Sequence, residues 1–109
     1  MSDLPGPYEL FQHQRPNVWR AYENLGEIVA EAGPLDHKTR ELIKLGMAAA
    51  SGSISAVQSH THRLLEQGVT PEEIEHAILL GVTTLGFPSM MAALTWAKAA
   101  IEHHQEKQD

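Results

Sequence analysis

Apolar side chains recur three or four positions apart along most of this chain, which is the spacing of one face of an α-helix. The first such stretch begins after Pro16 and ends at Gly33. Its apolar positions are Val18, Tyr22, Leu25, Ile28 and Val29. No segment alternates apolar and polar residues convincingly at a period of two, as a half-buried strand does. The pattern therefore predicts an all-α fold.

Capping residues predict where the later helices begin. Asp36 and Ser53 each precede a helical pattern and are typical N-caps. Thr70 precedes another helix, and Glu73 follows at the spacing of a capping box. Pro88 suits the first turn of the last helix, because a residue there needs no amide hydrogen.

These boundaries predict one domain, residues 1–109, built as a bundle of about five helices with short connections. Residues 1–15 are interrupted by proline and glycine, which predicts an N-terminal arm with one short helical piece from Tyr8 to His13. The polar residues 103–109 predict a frayed tail.

Two stretches, residues 42–50 and 90–101, carry more apolar surface than a small domain can bury by itself. Neighbouring subunits are the natural cover for such helices. We therefore expect a homo-oligomer.

Charge and composition exclude several classes of function. The chain has 109 residues, a formal net charge of -6 and no basic stripe, so neither nucleic acid nor an anionic membrane surface is an expected partner. It has no cysteine, which excludes disulfides, thiolate metal ligands and thiol nucleophiles. The N-terminal residues show no signal-peptide pattern, and the apolar runs are too short to span a bilayer. We expect a soluble, cytoplasmic protein.

The candidate chemistry gathers in residues 51–63, SGSISAVQSHTHR. His60 and Arg63 are three positions apart and share a helical face. If the preceding helix packs alongside, Glu41 can approach His60, fix its tautomer and raise its pKa, which gives an acid/base pair near neutral pH. The competing interpretation is a half-buried histidine and a solvated carboxylate, and spacing alone favours that one.

Other chemistries fit the sequence less well. The histidines lack the i, i+4 pairing of helical metal sites, so no metal site is predicted beyond adventitious binding at His103 and His104. The serines near His60 lack a G-x-S-x-G motif, and an N-cap role explains Ser53. No glycine-rich phosphate loop is present.

Three pieces of the sequence together resemble the carboxymuconolactone decarboxylase family, which includes the alkylhydroperoxidase D-like proteins. They are DHKTRELIKLGMAAA, HTHRLLEQGVTPEEIEHAILLGVTTLGFP and the small-residue link between them. Peroxidase-type members carry a Cys-x-x-Cys-x-x-x-His segment with a glutamate upstream. The histidine falls on His60, the glutamate on Glu41, and the two cysteines on Ser53 and Ala56. The chain therefore resembles the branch without thiols, and thiol peroxidase activity is not implied.

This resemblance implies a cofactor-free, decarboxylase-like lyase that assembles as a trimer or hexamer and acts on a small carboxylated lactone. Loss of CO2 leaves an enolate-like anion, whose oxygen must be stabilised and whose carbon must regain a proton. In this interpretation His60 donates the proton and Glu41 orients it. Arg63 or Arg40 holds the substrate carboxylate, and Ser53 is a further substrate contact. No cofactor or metal is implied.

A second hypothesis belongs to a different class of protein. The chain can be a non-catalytic, oligomeric binding module that retained the fold after losing its redox cysteines. The two hypotheses differ at His60. Catalysis predicts a pKa that is strongly shifted and coupled to Glu41, whereas a module predicts an ordinary titration.

Overall fold

The computed structural model describes residues 6–108, which form seven helices and no strand. The helices are α1 (Pro7–Gln14), α2 (Pro16–Ala30), α3 (His37–Ser51), α4 (Ile54–Glu66), α5 (Pro71–Leu79), α6 (Val82–Leu85) and α7 (Phe87–Gln108). The predicted all-α fold is confirmed. The first five residues of the predicted arm and Asp109 of the predicted tail lie outside the described residues.

The predicted caps define the starts of three helices. Asp36 accepts a hydrogen bond from the Thr39 amide at 2.9 Å at the start of α3. In the capping box of α5, the Glu73 amide donates to the Thr70 hydroxyl at 3.1 Å, and the Thr70 amide donates to the Glu73 carboxylate at 3.0 Å. Each bond satisfies an amide that the first helical turn leaves without a backbone partner. The third cap, Ser53 at the start of α4, is also a predicted site residue and is described with the candidate site.

The fourth predicted helix is divided in the structure. The sequence predicts one helix between Thr70 and Pro88, but α5 ends at Leu79 and α6 begins at Val82. Gly81 lies at the junction, where an added Cβ would stand 3.0 Å from a Leu85 side-chain atom and 3.1 Å from the Ile78 carbonyl oxygen. The chain therefore turns tightly there, and Val82 and Leu85 are half-buried.

The chain divides into two compact units, one ending at Pro34 and the other beginning at Leu35. In the first unit, Trp19 stacks edge-on against Phe11 and tilted against Tyr22, with ring centroids 6.4 and 5.6 Å apart. Neither α1 nor α2 contains a buried residue. The large apolar side chains exposed on α2 are Val18, Tyr22, Leu25, Ile28 and Val29.

In the second unit, α4 packs against both α3 and α7, and α5 packs against α3 and α7. The buried core contains Leu45, Ala48, Ala49, Val57, Leu64, Val69, Ile74, Ile78, Met90, Ala93, Ala97 and Ile101. The buried residues of α7 include the alanines Ala93, Ala97 and Ala100. Thr61 is the buried polar side chain of this core, and its hydroxyl donates to the Val57 carbonyl at 2.7 Å.

The predicted excess of apolar surface is only partly present. Within residues 90–101, one face of α7 is buried against other helices, at Met90, Ala93, Ala97, Ala100 and Ile101, whereas Met91 remains exposed. On α3, Ile43 and Met47 are exposed, and Met47 retains 65% of its accessible surface.

α7 continues to Gln108, so residues 103–108 are helical where a frayed tail was predicted. Among residues 6–108, no helix combines the length and apolar character needed to cross a bilayer.

Candidate functional site

His60 lies on α4 and is half-buried. Its Nδ1 atom is 3.0 Å from a terminal guanidinium nitrogen of Arg63, one helical turn further along. A guanidinium can only donate hydrogen bonds, so Nδ1 accepts this one. A neutral His60 in this contact carries its proton on Nε2.

Glu41 lies on α3, and 13% of its side chain is exposed. Its carboxylate is 3.6 Å from the Nζ atom of Lys44 on the same helix. Glu41 acts on His60 through its charge, but no hydrogen bond joins the two side chains within the described part of the chain. The structure therefore brings Glu41 and His60 into one electrostatic environment without direct pairing.

The pKa of His60 is lowered, and burial is the main cause because it disfavours the charged imidazolium. The positive charges of Arg63 and Lys44 lower it further, whereas the Glu41 carboxylate acts in the opposite direction. The sequence led us to expect a raised pKa. That expectation was wrong in direction because burial and two cations outweigh one carboxylate.

The other two predicted site residues make local structural contacts. Arg40 is half-buried and donates from its guanidinium to the Leu35 carbonyl oxygen at 2.8 Å. Ser53 caps α4, where its hydroxyl accepts from the Ala56 amide at 3.2 Å. The substrate-binding roles given to both residues remain predictions, as do the catalytic roles of His60 and Glu41.

A groove of about 420 Å³ lies between α3 and α5. Its lining residues are Thr39, Leu42, Ile43, Gly46, Glu73, His76, Ala77 and Leu80. None of the five predicted site residues belongs to this lining. Helical spacing in the sequence indicates that the lining residues from Thr39 to Gly46 share one face of α3. It does not indicate that α5 packs beside this face. Within the lining, the Glu73 carboxylate already accepts a hydrogen bond from the Thr70 amide and forms an ion pair with Lys38.

Three histidines lie together where α4 meets the end of α7. The ring centroid of His62 lies 5.5 Å from that of His103 and 6.1 Å from that of His104. The pKa of His62 is lowered by burial first and then by His103, His104 and Lys107. Across residues 6–108, no three histidine or carboxylate side chains are arranged to share a metal ion.

Comparison with known proteins gives one family and two relatives. The family model described as carboxymuconolactone decarboxylase family matches residues 16–99, which include both Glu41 and His60. An uncharacterized protein of Methanocaldococcus jannaschii is 30% identical over 86 residues, covering 79% of this chain and 80% of the relative. An uncharacterized protein of Haemophilus influenzae is 43% identical over 47 residues, covering 43% of this chain and 42% of the relative.

Proposed function

The chain belongs to the carboxymuconolactone decarboxylase family, and from that premise we propose that it is a cofactor-free lyase. The proposed reaction is acid/base decarboxylation, or a related proton transfer, on a small carboxylated lactone. The observation that carries this proposal is His60, a half-buried imidazole that shares its surroundings with Glu41, Lys44 and Arg63. The chain has no cysteine, so the thiol chemistry of peroxidase-type members is not part of the proposal.

The proposed chemistry needs few groups from the protein. The bond between the substrate carbon and its carboxylate breaks, CO2 leaves, and the electron pair stays on the substrate as an enolate-like anion. An N–H of His60 stabilises this anion, and Glu41 orients the imidazole through its charge. A proton from solvent water then adds to the carbon, and buffer neutralises the hydroxide that is left. A half-buried site strengthens these interactions because fewer water molecules screen them.

Cationic groups near His60 support binding of a carboxylate. One guanidinium nitrogen of Arg63 donates to His60. Since a guanidinium has five N–H donors in all, the others can bind a substrate carboxylate. Arg40 is proposed as a second carboxylate contact, although its one observed bond goes to the Leu35 carbonyl. Ser53 completes the proposed substrate contacts at the start of α4.

The test is turnover by the purified protein on a carboxylated lactone, followed by CO2 release or by absorbance. His60→Ala should lower turnover about 10²–10⁴-fold, the usual contribution of a positioned acid/base group. His13→Ala changes an exposed histidine on α1 that does not line the groove, and it should leave turnover unchanged. Circular dichroism establishes that both variants remain folded. Equal turnover by the His60→Ala variant and the unmodified protein would contradict the proposal.

A non-catalytic binding module remains the second candidate, and one observation favours it. None of the five predicted site residues lines the groove between α3 and α5, so the proposed catalytic groups are not gathered in that cavity. This candidate predicts that no carboxylated lactone is turned over, while small carboxylates bind without reaction. Isothermal titration beside the turnover assay separates the two candidates.

We also propose a homo-oligomer, either a trimer or a hexamer, and a cytoplasmic location. Exposed apolar side chains on α2 and α3 support the oligomer, because burying such surfaces is favourable. Multi-angle light scattering that gives a monomer at micromolar concentration would contradict it. The absence of cysteine is compatible with a reducing compartment and supports the location.

A further inference from the structure

The contact between Arg63 and His60 restricts which ring nitrogen of the imidazole can carry a proton. Both residues lie on α4, and the 3.0 Å contact involves Nδ1 of His60. Arg63 is exposed, whereas His60 is half-buried. The arginine therefore contacts one ring nitrogen of His60 from the solvent side of the helix.

Hydrogen-bond chemistry determines which nitrogen carries the proton. Arginine keeps its charge at all ordinary pH values and has no acceptor atom. An imidazole protonated at Nδ1 would direct an N–H toward the guanidinium and lose the hydrogen bond. The same clash arises for the imidazolium, which carries protons on both nitrogens.

The surrounding charges favour the same neutral state. On its own helix His60 has Arg63 beside it, and from α3 it experiences the charges of Lys44 and Glu41. Lys44 also lies within ion-pair distance of Glu41, so the one nearby carboxylate is shared with a cation. The balance around the ring is therefore positive.

We propose that Arg63 is a positioning residue that binds Nδ1 of His60 and keeps the imidazole neutral with its proton on Nε2. This inference rests on the proposed function only for its catalytic consequence, because the tautomer can be measured without substrate. It also gives Arg63 a role different from the carboxylate contact that the sequence predicts.

The catalytic consequence concerns the interaction of neutral His60 with the enolate-like anion. A neutral imidazole is too weak an acid to give up its last proton, but its N–H is an effective hydrogen-bond donor to a developing oxyanion. His60 therefore stabilises the enolate oxygen through Nε2–H and keeps its proton. The proton that adds to the substrate carbon then comes from solvent water, which leaves hydroxide to be neutralised by buffer.

The experiment is long-range ¹H–¹⁵N NMR of the full, uniformly labelled chain, recorded across a pH titration without substrate. We expect His60 to show the Nε2–H tautomer, with its Nδ1 resonance displaced by the accepted hydrogen bond. Arg63→Met should remove that displacement, introduce the Nδ1–H tautomer and raise the pKa of His60. Arg63→Lys restores a cationic donor and should recover part of the change.

Arg40→Met is the matched control, because it removes an arginine of the same charge whose observed bond goes to the Leu35 carbonyl. It should leave every His60 resonance in place. An Nδ1–H tautomer in the unmodified protein, or an unchanged Nδ1 resonance and pKa in Arg63→Met, would overturn the inference. The expected NMR result in a protein without lactone turnover would instead count against the proposed function alone.

Turnover gives a further readout if the protein is active. Since His60 acts while neutral, the rate should fall as pH drops through the pKa of His60. In Arg63→Met that fall should move to higher pH, following the raised pKa. A fall that stays at the same pH in both proteins would also overturn the positioning role.

Discussion

Lys44 lies one helical turn beyond Glu41 on α3, and its Nζ atom is 3.6 Å from the Glu41 carboxylate. The charge of Glu41 raises the pKa of His60, whereas the charge of Lys44 lowers it. The two members of this ion pair therefore act on His60 in opposite directions. The proton affinity of His60 depends on both members of this pair.

Removing either member of this ion pair should shift the pKa of His60, and the two variants should shift it in opposite directions. Lys44→Met removes a positive charge and should raise the pKa of His60, whereas Glu41→Gln removes the opposing negative charge and should lower it further. An NMR titration of the His60 ring protons measures both shifts. Shifts of the same sign in the two variants would show that the pair does not act on His60 through its charges.

The serine that caps α4 should contribute measurably to stability. Ser53→Ala leaves the Ala56 amide without its 3.2 Å side-chain acceptor, so we expect the free energy of unfolding to fall by about 1 kcal/mol in urea denaturation. Ser53→Asp restores an acceptor at the N-cap and should recover most of this loss.

Ser55→Ala provides the comparison: the Ser55 hydroxyl lies 3.4 Å from that of Ser53, but Ser55 is exposed and caps no amide of α4. Its effect should stay within about 0.5 kcal/mol. Equal stability of the Ser53→Ala and Ser55→Ala variants would contradict the capping assignment.

The histidine cluster between α4 and α7 should make stability depend on pH. The folded pKa of His62 lies below its ordinary value of 6.5, so the unfolded chain binds the proton more tightly. The stabilising contribution is present above pH 6.5 and is lost as the pH falls through the folded pKa. Burial and the neighbouring His103, His104 and Lys107 are the causes, while Glu66 opposes them.

Thermal unfolding at pH 7.5 and at pH 5.5 measures this dependence. His62→Gln should reduce the drop in Tm between the two pH values. His76→Gln, which changes an exposed histidine on α5, should leave the drop as it is in the unmodified protein. If the drop in Tm is as large in His62→Gln as in the unmodified protein, other groups cause the pH dependence. His60 is one of them, because its pKa is also lowered.

Packing in the second unit can be tested with two leucines. Leu64 on α4 is fully buried, whereas 48% of Leu79 on α5 is exposed. Leu64→Ala should lower the free energy of unfolding by about 2–5 kcal/mol, because it loses burial and leaves a cavity. Leu79→Ala should cost much less. Similar losses in chemical denaturation would mean that an assembly buries Leu79 as well.

Local features of this fold could be predicted from the sequence because the sequence contains all their determinants. The capping box of Thr70 and Glu73 needs only residues three positions apart, and the cap at Asp36 is equally local. The contact between His60 and Arg63 followed from i, i+3 spacing on a helix. In each case the prediction required no knowledge of which helices are neighbours.

Features that depend on tertiary packing were missed or predicted incorrectly. The groove requires α3 to lie beside α5, and the contact of His62 with His103 requires α4 to lie beside the end of α7. The direction of the His60 pKa shift depended on how deeply the ring is buried. Periodicity identifies an apolar face but not the helix that covers it.

The hydrogen bond between the Ser53 hydroxyl and the Ala56 amide joins the two positions onto which the sequence resemblance places the cysteines of peroxidase-type members. At these positions the present chain uses a helix cap where those members use a redox pair. Restoring both cysteines would remove the serine cap, yet it would place a thiol at a helix N-terminus, where the thiolate is favoured. This first turn of α4 is therefore a ready scaffold for engineering dithiol chemistry into a cysteine-free protein.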